Sequence, residues 1–194
     1  GGPWHRELLP RRGPGGPRLS AHGGGDSGGA AGLRGGISVI QTTLCYLERE
    51  GQYLMLHRVK KEGDLNRDKW IGVGGKFEEG ESPEDCALRE VREETGLRMV
   101  DYAYRGIVTF VSDRWPGEHM HLFHCRGFEG TLAACDEGDL EWIDKSALRT
   151  LPLWEGDKIF LRLLDSREPF FSLKLRYQGE RLAEAVLNGK ALPL

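Results

Sequence analysis

Between Gly74 and Leu97 the chain reads GGKFEEGESPEDCALREVREETGL, and eight of these residues are acids. Like charges one helical turn apart repel by ~0.2–0.5 kcal/mol, so such crowding calls for a counter-charge. Ser82-Pro83-Glu84-Asp85 has the form of a helix start: Ser82 can cap, Pro83 suits the first turn, and Asp85 can close a capping box. Gly96 is a natural terminator, so the spacing predicts a helix over Pro83 to Thr95. At about 100° per residue, Leu88 and Val91 make an apolar face with Ala87 at its margin. Glu90 and Glu94 fall one turn apart with Glu93 between them, so all three carboxylates can converge on one edge. Arg89 precedes Glu93 by four residues and can pair with it. Clustered carboxylates beside a glycine loop suit a hard cation such as Mg²⁺, which takes carboxylate oxygens, water and substrate phosphates. A solvated acidic face, partly neutralised by Arg89 and Arg92, is the other reading of the same charges.

A scaffold must hold that helix. The chain has 194 residues, 39% hydrophobic and 29% charged, which suits one domain with a core of ordinary size. Residues 1–36 carry 13 of its 28 glycines and few aliphatic residues, and read as a disordered Gly/Pro/Arg-rich tail. From Ile37 to Leu194 the texture is globular. Strands are predicted at 37–48, 52–59, 70–75, 107–112, 119–128, 140–144 and 170–177. A second helix is predicted over 157–165, and the period of RLAEAVL (181–187) fits helix or strand. Strands and two helices in irregular order indicate an α/β or α+β layered domain.

Net charge is −3, which argues against stable nucleic-acid binding through phosphate neutralisation. Cys45, Cys86, Cys125 and Cys135 form no CxxC pair, and three sit in apolar segments; a reducing, cytoplasmic setting is expected. No run is long and apolar enough to predict a membrane span. His119, His121 and His124 lie on one predicted strand, where only the first two share a face, which disfavours a zinc site.

Gly75, then Glu81, then Arg89-Glu90-Val91-Arg92-Glu93-Glu94-Thr95-Gly96-Leu97 match the Nudix box, GX5EX7REUXEEXGU, at every specified position. The chain from Ile37 onward thus resembles the Nudix hydrolase superfamily. The resemblance implies an α/β/α sandwich with a mixed β-sheet, in which the box forms a loop-helix-loop. It implies that Glu90, Glu93 and Glu94 hold Mg²⁺ (Mn²⁺ substituting), helped by the Gly74 carbonyl. Glu81 would support the site and Arg89 would orient a carboxylate. Water would attack a phosphorus of a nucleoside diphosphate derivative, with Glu90 or Glu137 taking its proton. Glu137 resembles the extra metal-site acid of MutT-type members, and by its residues alone it is equally a solvated loop acid.

Within the superfamily the chain resembles the MutT-type 8-oxo-dGTP diphosphatases. Trp70-Ile71-Gly72-Val73-Gly74-Gly75-Lys76 is similar to their WNGFGGK, Leu153-Trp154-Glu155-Gly156-Asp157 to their WPDD segment, and PFFSLKLRYQGERL to their FHGYFKFQGQ hairpin. Trp154 can stack on a purine or pack in the core. Asp157 can bond a base edge or cap a helix. Phosphate contacts are expected from Lys76, or from Lys60 and Lys61. Ile71 stands where those enzymes have Asn, and Gly156 replaces the first of two acids, so a base-reading amide is missing. The expectation is a Mg²⁺-dependent pyrophosphohydrolase of (oxidised) purine (deoxy)nucleoside triphosphates, acting alone or as a homodimer. The alternatives are hydrolysis of ADP-ribose, a dinucleoside polyphosphate or a cap-like nucleotide, or a non-catalytic nucleotide sensor.

Overall fold

A computed structural model of the chain describes residues 39–59, 66–166 and 168–194. The expected tail and the candidate phosphate ligands Lys60 and Lys61 lie outside the described residues. The described elements are β1 (Ile40–Arg49), β2 (Gln52–His57), β3 (Trp70–Ile71), α1 (Pro83–Thr95), β4 (Arg98–Ser112), β5 (Glu118–Glu129), β6 (Asp139–Asp144), α2 (Glu155–Asp165), β7 (Phe171–Gln178), β8 (Arg181–Leu187) and β9 (Lys190–Ala191).

The strands run in the order β3-β2-β1-β5-β4-β7-β8-β9, with β6 on β2. The sheet is mixed: β1 lies parallel to β5 and β4 parallel to β7, while the other neighbours are antiparallel. β1 carries an unbroken apolar run, Leu44 to Leu47, because both its faces are covered there. Cys45 and Leu47 point into one core with Ala87 and Val91 of α1, while Tyr46 points into another with Phe160 and Leu164 of α2. Helix, sheet and helix therefore form the expected α/β/α sandwich.

α1 begins and ends where the sequence predicts. The Ser82 hydroxyl accepts the Asp85 N–H at 3.1 Å, and the Asp85 carboxylate accepts the Ser82 N–H at 3.0 Å. Gly96 takes the left-handed conformation at φ 73° and closes the helix onto the Arg92 carbonyl. Ala87, expected at the margin, is fully buried, and Leu88 is only partly buried. Replacing Ser82 by Ala is expected to cost about 1 kcal/mol, read as a lower urea midpoint with an unchanged slope.

Two strands differ from expectation. β4 starts nine residues before the predicted Ile107, at Arg98, because register shifts at Met99–Tyr102 and Tyr104–Gly106 break the alternation that marks a strand. The predicted strand over 70–75 pairs with β2 only at Trp70 and Ile71, and then crosses to β1 through isolated bridges at Val73 and Lys76. The ambiguous 181–187 segment is strand β8.

Candidate active site

The crossing from Trp70 to Lys76 fits the glycine loop between β1 and α1. The Val73 and Gly75 carbonyls accept N–H bonds from Cys45 and Thr43 at 2.6 and 2.8 Å, so β1 takes up the carbonyls on either side of Gly74. Gly74 has φ 152°, and a Cβ there would stand 2.1 Å from the Thr43 carbonyl oxygen. A Cβ on Gly75 would stand 2.4 Å from the Glu90 carboxyl. Gly74 thus lets the loop lie against β1, and Gly75 lets its backbone reach the Glu90 carboxyl.

Two of the three box carboxylates turn inward. Glu94 accepts the Gly74 N–H at 3.0 Å, and burial pushes it up to about 8. The charges of Glu137 and Glu90 add to that rise, and the Gly74 bond and Arg58 oppose it. Burial also raises Glu90, against the pull of Arg89. Glu93 points outward, with 61% of its side chain exposed, so the expected convergence holds for Glu90 and Glu94 and not for Glu93 as placed. Among the described residues no group of three or more His, Cys, Asp or Glu side chains stands ready to hold a metal ion. The donor set nonetheless fits a hard cation: Glu90 and Glu94, half-buried beside a glycine backbone, are raised by burial and by neighbouring carboxylates, a situation a divalent ion relieves.

Arg89 ties this edge together. It binds Glu81 in bidentate fashion at 2.6 and 2.9 Å, Glu90 at 2.7 Å, Glu93 at 3.2 Å and the Lys76 carbonyl at 3.0 Å. The Arg89 guanidinium holds Glu81 down at about 2. Sequence spacing identified the Arg89–Glu93 pair; the dominant partner, Glu81, lies eight residues away across the loop. Glu137 pairs with Arg58 at the end of β2, which places it near Glu90 and Glu94 rather than in open solvent.

A cleft of about 450 Å³ runs from this loop to α2, a volume that suits a small ligand. Arg58, Gly74, Gly75 and the exposed Lys76 line one part; Phe110, Trp115, Trp154, Asp157 and Tyr177 line another. Trp154 is both core and cleft. Trp115 and Tyr177 meet it edge-on at 6.0 and 5.4 Å, Lys69 lies over its ring at 4.8 Å, and its indole N–H donates to Asn66 at 2.9 Å. Asp157 is not the cap of α2, because Trp154 holds that position without a side-chain bond. Asp157 is 8% exposed, and burial pushes its carboxyl up to about 8, with Lys69 opposing.

Asp157 therefore favours folding in its protonated form. That contribution is complete below the unfolded value near 3.9, falls as pH rises above it, and is lost once pH passes about 8. Asp157→Asn is expected to flatten the decline in unfolding free energy between about pH 4 and 8, measured by urea titration at several pH values.

Sequence reasoning did not reach Thr42, Arg58, Asn66, Trp115 or Glu118, all of which line the cleft. They come from three strand ends and two turns distant in the chain, and no local spacing connects them. The strand histidines are engaged elsewhere: His124 with Glu48 at 2.6 Å, and His121 with Gln41 at 2.9 Å and with Tyr104. No helix among the described residues is long and apolar enough to cross a membrane.

A model of the NUDIX domain matches residues 40–164. The chain is 30% identical over 141 residues to the oxidized purine nucleoside triphosphate hydrolase of Danio rerio, covering 71% of this chain and 86% of that protein. It is 28% identical over 123 residues to the CTP pyrophosphohydrolase of Escherichia coli (strain K12), covering 62% and 87%. Its structure resembles the crystal structure of the Mutator MutT protein from Bacillus halodurans, with a TM-score of 0.69 and 28% identity over 78% of this chain and 99% of that one. The named substrates of these relatives differ, a purine in one and a pyrimidine in another.

Proposed function

The chain belongs to the Nudix family, whose hydrolases act on phosphoanhydride bonds, and we propose that it is a Mg²⁺-dependent pyrophosphohydrolase of purine (deoxy)nucleoside triphosphates, oxidised ones such as 8-oxo-dGTP included. One observation carries this reading. A single cleft joins the Gly74–Lys76 loop beside the box carboxylates to an aromatic chamber containing a buried, neutral acid. A nucleotide laid along it puts phosphates at the loop and base at Trp154 and Asp157.

Glu90, Glu93, Glu94 and Glu137, with the Gly74 carbonyl, would hold Mg²⁺ or Mn²⁺, which supplies phosphate charge neutralisation and a more acidic bound water. Arg89 keeps Glu81 and Glu90 in place, and its five-donor fork has no replacement in Lys. Lys76 and Arg58 offer positive charge to the polyphosphate at the cleft wall. Glu90 or Glu137 would take a proton from the attacking water. Asp157, protonated at neutral pH, donates a hydrogen bond to a base acceptor, and activity is expected to fall as pH rises past about 8. All box carboxylates are present, which favours catalysis over mere nucleotide sensing. Four free cysteines suit a reducing cytoplasmic setting, and the net charge of −3 suits a small nucleotide better than a nucleic acid.

The test is a Mg²⁺-supplemented screen of 8-oxo-dGTP, dGTP, ADP-ribose and dinucleoside polyphosphates, with released phosphate and pyrophosphate told apart. Pyrophosphate from a purine triphosphate, at the highest kcat/KM in the panel, is the expected result. Preference for ADP-ribose or a dinucleoside polyphosphate would overturn the substrate class.

A further inference from the structure

Side chains two apart on a strand share a face. On β5 the row Met120, Leu122 points toward the core under α2, and on β1 the row Leu44, Tyr46 does the same. Extended by one step to the open end of the sheet, these rows reach Glu118 and Thr42. Both line the cleft, beside Ile40, Phe110 and Trp115. A carboxylate thus occupies a position whose register is otherwise apolar. A charge among apolar neighbours is costly unless something pairs with it. Glu118 forms no ion pair among the described residues; its one hydrogen bond there comes from the Thr42 hydroxyl, at 2.5 Å to Oε1. Thr42 is itself 7% exposed, so the carboxylate is held from a rigid strand. An ionised carboxylate accepts at both oxygens, and one hydroxyl leaves most of that capacity unused.

We propose that Glu118, positioned by Thr42, is a specificity-determining residue that reads a pair of adjacent N–H donors on the base. This rests on the cleft being the nucleotide site, and it narrows the base to guanine type. Guanine presents N1–H and the 2-amino group side by side, matching the two oxygens of a carboxylate. Adenine and cytosine place a ring-nitrogen acceptor beside their amino group, which a carboxylate repels. Asp157, on α2 and lining the same cleft, complements this as a donor, since burial keeps it protonated at neutral pH. The pair supplies a base-reading function for which the sequence, with Ile71 where related enzymes have Asn, shows no amide.

Hypoxanthine keeps N1–H and lacks the 2-amino group, so dGTP against dITP isolates the contact. Wild-type kcat/KM for dGTP is expected to exceed that for dITP by about tenfold or more, since a charge-assisted hydrogen bond is at stake. Glu118→Gln keeps the volume and a partner for Thr42 but puts a donor in place of an acceptor. It is expected to bring the ratio to near one, with the loss in the KM for dGTP. Thr42→Val, which frees the carboxylate, is expected to lower the ratio partway. The same ratios are to be read in calorimetric binding of dGMP and dIMP, independent of turnover. Glu118-dependent preference for dGMP without triphosphate hydrolysis would sink the proposed function and leave this assignment standing. Hydrolysis with a dGTP:dITP ratio near one in the wild type, or a ratio indifferent to both substitutions, would overturn the assignment.

Discussion

Glu94→Gln is expected to lower kcat/KM on the best substrate by about 10²–10⁴-fold, the range associated with removing a catalytic carboxylate, while the protein folds as before. Gln has the same shape, and its amide oxygen can still accept the Gly74 N–H that Glu94 accepts at 3.0 Å. What disappears is the ability to ionise beside Glu90 and Glu137, which a bound divalent ion would draw on. The two arms separate the roles. Steady-state kinetics over a Mg²⁺ titration reports the site, and urea unfolding in chelator reports the fold. Unchanged turnover would remove Glu94 from the machinery. A collapse of the urea midpoint would show that the residue serves the fold instead. Glu93, with 61% of its side chain exposed, is expected to show the same kinetic loss with an even smaller effect on stability, since its one ion pair among the described residues is with Arg89.

Gly74→Ala is expected to be the most damaging single-methyl change in the site, at about 3–5 kcal/mol. Its new Cβ would meet the Thr43 carbonyl at 2.1 Å and the Leu44 Cα at 3.1 Å, both backbone atoms of β1 that cannot step aside. The φ of 152° adds strain that only glycine avoids. Gly80→Ala is the control. Gly80 also has positive φ, 86°, but nothing lies within 4 Å of the added carbon. Its expected cost is about 1 kcal/mol, from backbone strain alone. Comparing the two by chemical denaturation separates collision from conformation. If both cost the same, the close approach of the glycine loop to β1 is not what stabilises the loop.

α1 was fully legible in the chain because every signal for it is local. A cap, a proline, acids at the start and a glycine at the end lie within fifteen residues, and each acts through hydrogen bonds to its near neighbours. The Glu50-Gly51 turn between β1 and β2, with φ of 50° and 78°, is as local. The equally local Asn188-Gly189 turn, with φ of 48° and 80°, also marks a hairpin and settles that RLAEAVL pairs as a strand. β4 was half hidden, since bulges move its buried residues off a period of two.

The chain order alone thus determined the acidic helix, the spacing of its carboxylates, and the family they belong to, because box residues sit at set intervals on one element and its adjoining loop. The three-dimensional fold decided which carboxylates turn inward, that Arg89 answers first to Glu81, that Arg58 stands against Glu137, and that Thr42 and Glu118 line one cleft with Trp154 and Asp157. The reason is distance along the chain. Thr42 and Glu118 are 76 residues apart, and only the parallel pairing of β1 with β5 sets them side by side.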